Sequence, residues 1–451
     1  MTVTAARTGL TSAPSSRGLL GALRVHLWVI AITFVAEEIG NVTVSLGFAK
    51  VTLLPLVWSM VLGAAVSLLW RRMPGAVAVN PSNQKASSAI IQVAVLMFVA
   101  KLALLVGSSV PALITSGWAL AFQEVGHFLG TALLGMPLAL LLGIKREAVG
   151  ATFSVGREPS LAIISERYGL NSAEGRGVMA EYITGTVVGA IFISLLASLI
   201  ASSGIFNPLA LAMGAGVGSG SLMAAAAGAI VAQVPPEMAK EVAAFAAASN
   251  LITTTVGTYF TLFLSLPFST FLYRTLEPRI GRFSKPVVAR TDVVVTEEEA
   301  HDKTISLPVL AVLLVIVGAL ALMLGNWITY HIYPGDAALG MAIVVAVAVC
   351  GEMLKRAIPL PIPAVFWGTL VGMALTAPYW AGASWMAATT GKVNFLALAT
   401  PLLAYAGLSL AKDLATFRAL GWRILVVSLA ANGGTFIFAS IVAQLLMHAP
   451  S

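Results

Sequence analysis

Long apolar stretches, separated by short polar ones, run through almost the whole chain. A membrane-spanning helix needs about 20 consecutive and mostly apolar residues. By this criterion the pattern predicts about ten to twelve transmembrane helices or half-helices, and we expect an all-α polytopic membrane protein. The clearest stretches are Leu23–Ile39, Val51–Trp70, Ser88–Gly107, Val110–Ile144, Leu307–Leu324, Ala337–Leu354, Ile362–Ala377, Phe395–Leu410 and Leu425–Met447. Polar residues at 123, 124 and 127 are expected to break the fourth of these.

Two short stretches rich in Gly and Ser interrupt the apolar pattern in the central third of the chain. They are Gly150–Ser160 and Gly214–Ser221, and each leads into an apolar helix that carries Thr residues. Non-helical main chain at membrane depth is tolerated only where it is buried in protein or lines a water-filled cavity. Two interruptions at corresponding positions therefore predict a transport site built from re-entrant or broken helices.

The two stretches belong to a predicted internal repeat. Gly150-Ala151 recurs as Gly214-Ala215, and the Thr-bearing helices that follow match in the same order. If Lys145–Arg146 and Arg274 are both cytoplasmic, the two units enter the membrane from opposite faces. We therefore expect an inverted repeat, with an elevator-like movement of the central part against static outer helices.

This pattern divides the chain into five predicted regions. The central one contains the two repeats, and the outer helices form the scaffold. The regions are a cytoplasmic tail (1–22), N-terminal scaffold helices (23–144), the core (145–273, with repeats 145–201 and 207–273), a cytoplasmic linker (274–306) and C-terminal scaffold helices (307–451).

Composition supports the membrane prediction. Of the 451 residues, 58% are hydrophobic and only 10% are charged, whereas a soluble chain carries about 25% charged residues. The net charge is +7, but Lys and Arg gather at helix ends, as the positive-inside rule requires. We therefore expect membrane lipid, and no nucleic acid, as a partner. Cys350 lies in an apolar run and is expected to be a buried thiol.

The interrupted stretches supply the predicted substrate-binding residues. A charge near the bilayer centre costs about 2.5–3.5 kcal/mol, so Arg157 at a hairpin tip would need a role such as attracting an anionic substrate. The alternative is a cytoplasmic turn whose charges are solvated. The candidates are Gly156, Arg157, Glu158 and Ser160 in the first stretch, and Gly218, Ser219, Gly220 and Ser221 in the second.

The two Thr-bearing helices supply the predicted ion-binding residues, because hydroxyl, amide and carboxylate oxygens suit a dehydrated Na⁺. Ser and Thr in membrane helices also bond to their own main chain, and Glu181 could instead carry a proton or pair with Arg176 or Arg157. The candidates are Glu181, Thr184, Ser249, Asn250, Thr253 and Thr254.

His127 lies one helical turn after both Gln123 and Glu124. Glu124 and His127 are candidates for a proton relay, with Asp413 as a possible mate in the C-terminal half. His127 has no second His four residues later, so we expect no metal site. No cofactor-binding motif is recognised, and we expect Na⁺ or H⁺ as the coupling ion.

The Gly/Ser tips, with their amphipathic arms and Thr-bearing spans at 156–189 and 214–257, resemble bacterial inverted-repeat secondary carriers. This group includes the glutamate:sodium symporters and the 2-hydroxycarboxylate carriers. Arg157-Glu158-Pro159 stands where the glutamate symporters carry a Gly-His-Gly-Thr type of tip. The resemblance implies an ion-coupled transporter of a small organic anion, a carboxylate. It also implies a homodimer in the bacterial inner membrane, multi-pass, with its N-terminus in the cytoplasm.

Two other classes of function stay open from the sequence. A cation–proton antiporter would use Glu181 or Glu124 and would carry no organic substrate. A channel or a membrane-embedded enzyme is the other class. The broken, duplicated half-helices argue against a channel, and no Ser-His-Asp or other catalytic arrangement is recognised, so we expect no enzymatic activity.

Overall fold

Helices dominate the described structure. The computed structural model describes residues 23–45, 50–75, 77–115, 117–169, 172–281, 305–358, 360 and 362–447. The helices that precede the first interruption are α1 (Leu23–Ile39), α2 (Pro55–Leu68), a 3₁₀ turn (Trp70–Arg72), α3 (Pro81–Ser108), α4 (Val110–Thr115) and α5 (Gly117–Leu141).

The central third contains the two interrupted segments and two long helices, each with an internal π-helical segment. The elements are α6 (Glu147–Thr152), α7 (Arg157–Tyr168), α8 (Ala173–Thr184), a π segment (Gly185–Gly189), α9 (Ala190–Ser202), α10 (Pro208–Gly216), α11 (Gly220–Val231), α12 (Pro236–Phe260), a π segment (Thr261–Ser265) and α13 (Leu266–Leu276).

The C-terminal part is again helical. Its last helix contains a kink at Gly421, where φ is +76°. The elements are α14 (Leu307–Leu320), a π segment (Ala321–Thr329), α15 (Pro334–Ala357), α16 (Ala364–Thr376), α17 (Ala383–Gly391), α18 (Phe395–Ser409), a 3₁₀ turn (Leu410–Asp413) and α19 (Leu414–Met447).

Six helices of the described residues are long and apolar enough to cross a membrane, and four further apolar helices are shorter. The chain is therefore a multi-pass α-helical membrane protein, as predicted. Of the linker predicted at 274–306, residues 282–304 lie outside the described part, and α13 continues to Leu276.

A short antiparallel ribbon departs from the prediction of helices alone. Strands β1 (Val42–Ser45) and β2 (Lys50–Leu53) pair, with Thr43 opposite Thr52, where the sequence pattern predicted the start of a span at Val51. These residues are mostly Val and Thr, whose branched side chains favour strands.

Two further expectations are wrong. Gln123, Glu124 and His127 do not break α5, because all three are buried side chains on a continuous helix. Cys350 is exposed on α15 rather than buried. An apolar run predicts a span, but it does not say which helix face points to lipid.

Two sets of close helix contacts organise the interior. In one set, α2 packs on α18, where the Ser59 hydroxyl donates to the Thr400 carbonyl oxygen at 2.8 Å. In the other, α5 packs on α19 so closely that a Cβ on Gly130 would lie 2.1 Å from the Gly434 carbonyl oxygen. Small residues allow this main-chain approach between membrane helices. The second set carries the polar residues of the candidate site.

Candidate functional site

The first broken segment consists of α6, residues 153–156 and α7. The start of α6 lies beside the start of α8, where two ion pairs join them. Arg146 Nε is 2.5 Å from Glu174 Oε1, and Arg176 Nη2 is 2.7 Å from Glu147 Oε1. Arg176 therefore pairs with Glu147. This ion pair lies at the start of α8, more than one turn before Glu181.

The second broken segment consists of α10, residues 217–219 and α11. Its end lies beside the end of α9, because the Gln233 amide donates to Ser198 Oγ at 3.0 Å. The same amide donates to Thr52 Oγ1 on β2 at 3.0 Å. Main chain 173–202 runs from the base of the first segment to the base of the second. At 1.5 Å per residue, its length is about 45 Å.

The two breaks meet in the interior. A Cβ on Gly218 would lie 3.7 Å from Val155 Cγ2 and 4.0 Å from the Val155 carbonyl oxygen. Gly218 has φ +113°, a conformation that L-residues with side chains rarely adopt. Ser154 and Ser160 are fully buried here, as is Val155. Helices α7 and α11 both begin at this contact, so their N-terminal ends converge on it.

Helix α12 holds the second break in place. The Asn250 side-chain amide donates to the Gly216 carbonyl at 2.8 Å and to the Gly218 carbonyl at 3.0 Å. Ser249 Oγ donates to the Met213 carbonyl at 2.6 Å. These two predicted ion-binding residues therefore bind carbonyl groups that the broken helix leaves without partners.

Helix α5 presents a buried carboxylate to the first break. Glu124 accepts hydrogen bonds from Thr253 Oγ1 on α12 and from Gln123 Nε2, the latter at 3.2 Å. Its other oxygen is 3.0 Å from His127 Nδ1. His127 Nε2 faces Ser154 Oγ at 3.4 Å and the Val155 amide nitrogen at 3.5 Å. We call Gln123, Glu124, His127 and Thr253 the Glu124 cluster.

A second buried carboxylate lies between α8 and α19. Glu181 is 1% exposed, and its Oε1 accepts from the Asn432 side-chain amide at 3.0 Å. Thr184, one turn later on α8, is fully buried, and so is Ser428, one turn before Asn432. We call Glu181, Thr184, Ser428 and Asn432 the Glu181 cluster.

The structure divides the predicted site residues into these two clusters and the break region. Thr254 bonds only to main-chain carbonyls of its own helix, Asn250 and Leu251, among the described contacts. Ser219 Oγ and Ser221 Oγ lie 3.3 Å apart at the second break. Of the remaining tip glycines, Gly156 is the last residue of the first break and Gly220 is the first residue of α11.

Three predicted side chains cannot be placed, because they lie outside the described part. The main chain of Arg157 and Glu158 forms the first residues of α7, and that of Asp413 ends a 3₁₀ turn. Sequence reasoning missed Asn432 and Ser428, which lie in an apolar span without a local motif. The one signal for them is their spacing, because the Asn432 amide follows Ser428 by four residues and so lies on the same helix face.

Among the described residues, no group of three or more His, Cys, Asp or Glu side chains could hold a metal ion.

The fold and these clusters define a polytopic α-helical membrane protein with discontinuous main chain in its buried interior. A family model described as "Protein of unknown function (DUF3100)" matches residues 34–275, more than half of the chain, and the chain belongs to this family. The matched region runs from α1 into α13 and so contains both broken segments. No curated protein and no solved structure matches the chain.

Proposed function

We propose that the protein is an ion-coupled secondary active transporter of a small organic anion, working by alternating access. The observation that supports this function best is the contact between the two breaks, at Val155 and Gly218, to which His127 links the buried Glu124 carboxylate. Broken helices that meet near the bilayer midplane form the binding sites of many secondary transporters.

In this proposal the broken segments are re-entrant and enter from opposite faces. Both ends of the first segment lie at the start of α8, and both ends of the second lie at the end of α9. The main chain between them, at about 45 Å, is longer than the roughly 30 Å hydrocarbon core. Lys145 and Arg146 put the first base on the cytoplasmic face.

The anionic nature of the substrate follows from the helix ends. The N-termini of α7 and α11 converge on the contact between the breaks, and a helix N-terminus carries a partial positive charge with free amide groups. Helix α11 begins with Gly220, Ser221 and Leu222, none of which carries a carboxylate. A carboxylate substrate suits this arrangement.

We propose a moving body larger than the predicted core of residues 145–273. Helix α5 brings His127 to the first break, and Asn432 on α19 binds Glu181 on α8. Gly214 of the second segment also packs on α19, where a Cβ would lie 2.1 Å from Ser440 Oγ. We therefore assign α5 and α19, predicted as scaffold, to the body that moves.

The remaining features of the proposal come from the sequence. The coupling ion is Na⁺ or H⁺, and the protein is a homodimer in a bacterial inner membrane, with its N-terminus in the cytoplasm. The Glu124 cluster is suited to H⁺, because its carboxylate and imidazole are linked to the first break by hydrogen bonds.

Replacing Arg157 with Ala is expected to abolish anion uptake while the protein still folds. Arg157 is the first residue of α7, and in this proposal its guanidinium provides the positive charge that an anionic substrate needs. Carboxylates are first screened for those that raise the melting temperature of the purified protein. The measurement is then the uptake of these carboxylates into proteoliposomes.

Arg167, exposed in the last turn of the same helix, is the matched control. R167A should transport as the unchanged protein does. Uptake by R157A at the unchanged rate would remove Arg157 from the site. If no carboxylate stabilises the protein or is taken up, the proposed transport of an organic anion is refuted.

A cation–proton antiporter is the second candidate function, and the Glu124 cluster is the observation that favours it. A buried carboxylate joined to a His can exchange a proton for a cation. This function predicts pH-driven Na⁺ flux in proteoliposomes without any organic substrate, lost in E124Q. Anion-dependent flux would instead support the symporter.

A further inference from the structure

The Glu181 cluster is separate from the Glu124 cluster, and the hydrogen-bond partners of its carboxylate are different. In the Glu124 cluster, Thr253, Gln123 and His127 surround the carboxylate with side-chain partners. In the Glu181 cluster, the Asn432 amide donates both to Glu181 Oε1, at 3.0 Å, and to the Ser428 carbonyl, at 2.8 Å. This amide joins one face of α8 to one face of α19.

Two hydroxyl groups in this cluster have no hydrogen-bond partner among the described residues. They are Thr184 Oγ1 and Ser428 Oγ, and both side chains are fully buried. A buried hydroxyl without a partner is costly, so such groups call for an explanation such as a bound ion. Thr184 lies one turn from Glu181, and Ser428 one turn from Asn432, so both flank the same hydrogen bond.

The main chain next to the cluster is irregular. A π-helical segment begins at Gly185, directly after Thr184. Single-turn π segments inside α-helices are frequent at functional sites. A Cβ on Gly185 would lie 3.4 Å from Glu181 Oε1, so glycine keeps the carboxylate accessible. Ala180, Ile183 and Val427 are buried around the cluster and exclude water.

We propose that the Glu181 cluster binds a dehydrated Na⁺ ion. Carboxylate, hydroxyl and main-chain oxygens are the ligands that such an ion requires. A single carboxylate balances one positive charge, which favours a monovalent over a divalent cation. Glu181, Thr184 and Ser428 supply the oxygen ligands, and Asn432 positions the carboxylate. We assign this Na⁺ as the coupling ion, and that assignment rests on the proposed function.

The test measures the melting temperature of the full-length protein in detergent, with NaCl replaced stepwise by KCl or choline chloride at constant ionic strength. A ligand that binds only the folded state stabilises it in a saturable way. We expect saturable stabilisation by Na⁺ alone. E181Q should abolish it. T184V and S428A should each raise the half-saturating Na⁺ concentration about tenfold, as expected for one lost contact to a charged group.

S194A is the matched control, since it removes another buried hydroxyl on α9 that has no partner among the described residues and lies in neither cluster, and it should keep the unchanged Na⁺ response. T184V and S428A keep the test decisive if E181Q does not fold. Equal stabilisation by Na⁺ and K⁺, or an unchanged Na⁺ response in T184V and S428A, would overturn the site. Because the measurement needs no substrate, a Na⁺ site that survives while all anion uptake fails would refute the transport proposal alone.

Discussion

Gly130→Ala is expected to destabilise the protein strongly, although Ala is the better helix former. The added Cβ would lie 2.1 Å from the Gly434 carbonyl oxygen, which belongs to the main chain and cannot move aside as a side chain could. At the next residue of each helix, Thr131 Oγ1 and Thr435 Oγ1 are 2.6 Å apart. Overpacking costs about 1–3 kcal/mol, and more where the neighbour is rigid. The measurement is the melting temperature and the monodisperse yield in detergent.

Gly117→Ala, at the first residue of the same helix, is the control. A Cβ there meets no described atom within 4 Å, and Ala gains helix propensity over Gly. G117A should match or exceed the unchanged stability. If G130A melts at the same temperature as G117A, the close packing of α5 on α19 is wrong, and so is their assignment to one moving body.

Asn250→Ala is expected to abolish anion uptake and to lower stability by a few kcal/mol. The amide donates to the Gly216 and Gly218 carbonyls, and each buried carbonyl left unpaired costs about 1–3 kcal/mol. Without these bonds the second break loses its fixed shape, and the helix N-terminus of α11 no longer points at the site. Proteoliposome uptake and the urea- or heat-unfolding midpoint measure the two effects.

Asn83→Ala provides the comparison. The Asn83 side-chain amide donates to the Ala78 carbonyl at 3.4 Å, near the start of α3 and away from both breaks. N83A should retain uptake. Uptake by N250A at the unchanged rate would mean that the second break does not need this support. Equal loss in N83A would show a general effect on folding.

Local sequence predicts the breaks well, because glycine and serine act on their own segment. The non-helical residues 153–156 and 217–219 both lie within the predicted stretches Gly150–Ser160 and Gly214–Ser221. The spans that follow were also predictable, since their length is set by the thickness of the bilayer. The short helix α17 was not predicted, because it is too short and too polar to give that signal.

Side-chain partners could not be predicted, because they come from distant parts of the chain. Glu124 bonds to Thr253 and Glu181 to Asn432, and no local pattern links either pair. Gln123, Glu124 and His127 were expected to break a helix because polar residues are costly in lipid. They do not, because α12 and the first break cover them. Asp413, proposed as the mate of the relay, stays a prediction.

The most direct measurement is a cryo-electron microscopy map of the full chain in lipid nanodiscs. We expect non-helical density at 153–156 and 217–219, touching at Val155 and Gly218 within the middle of the disc. The start of α6 and the start of α10 should then lie at opposite faces. Continuous helices at these residues, or both breaks in water outside the disc, would refute the proposed transport site.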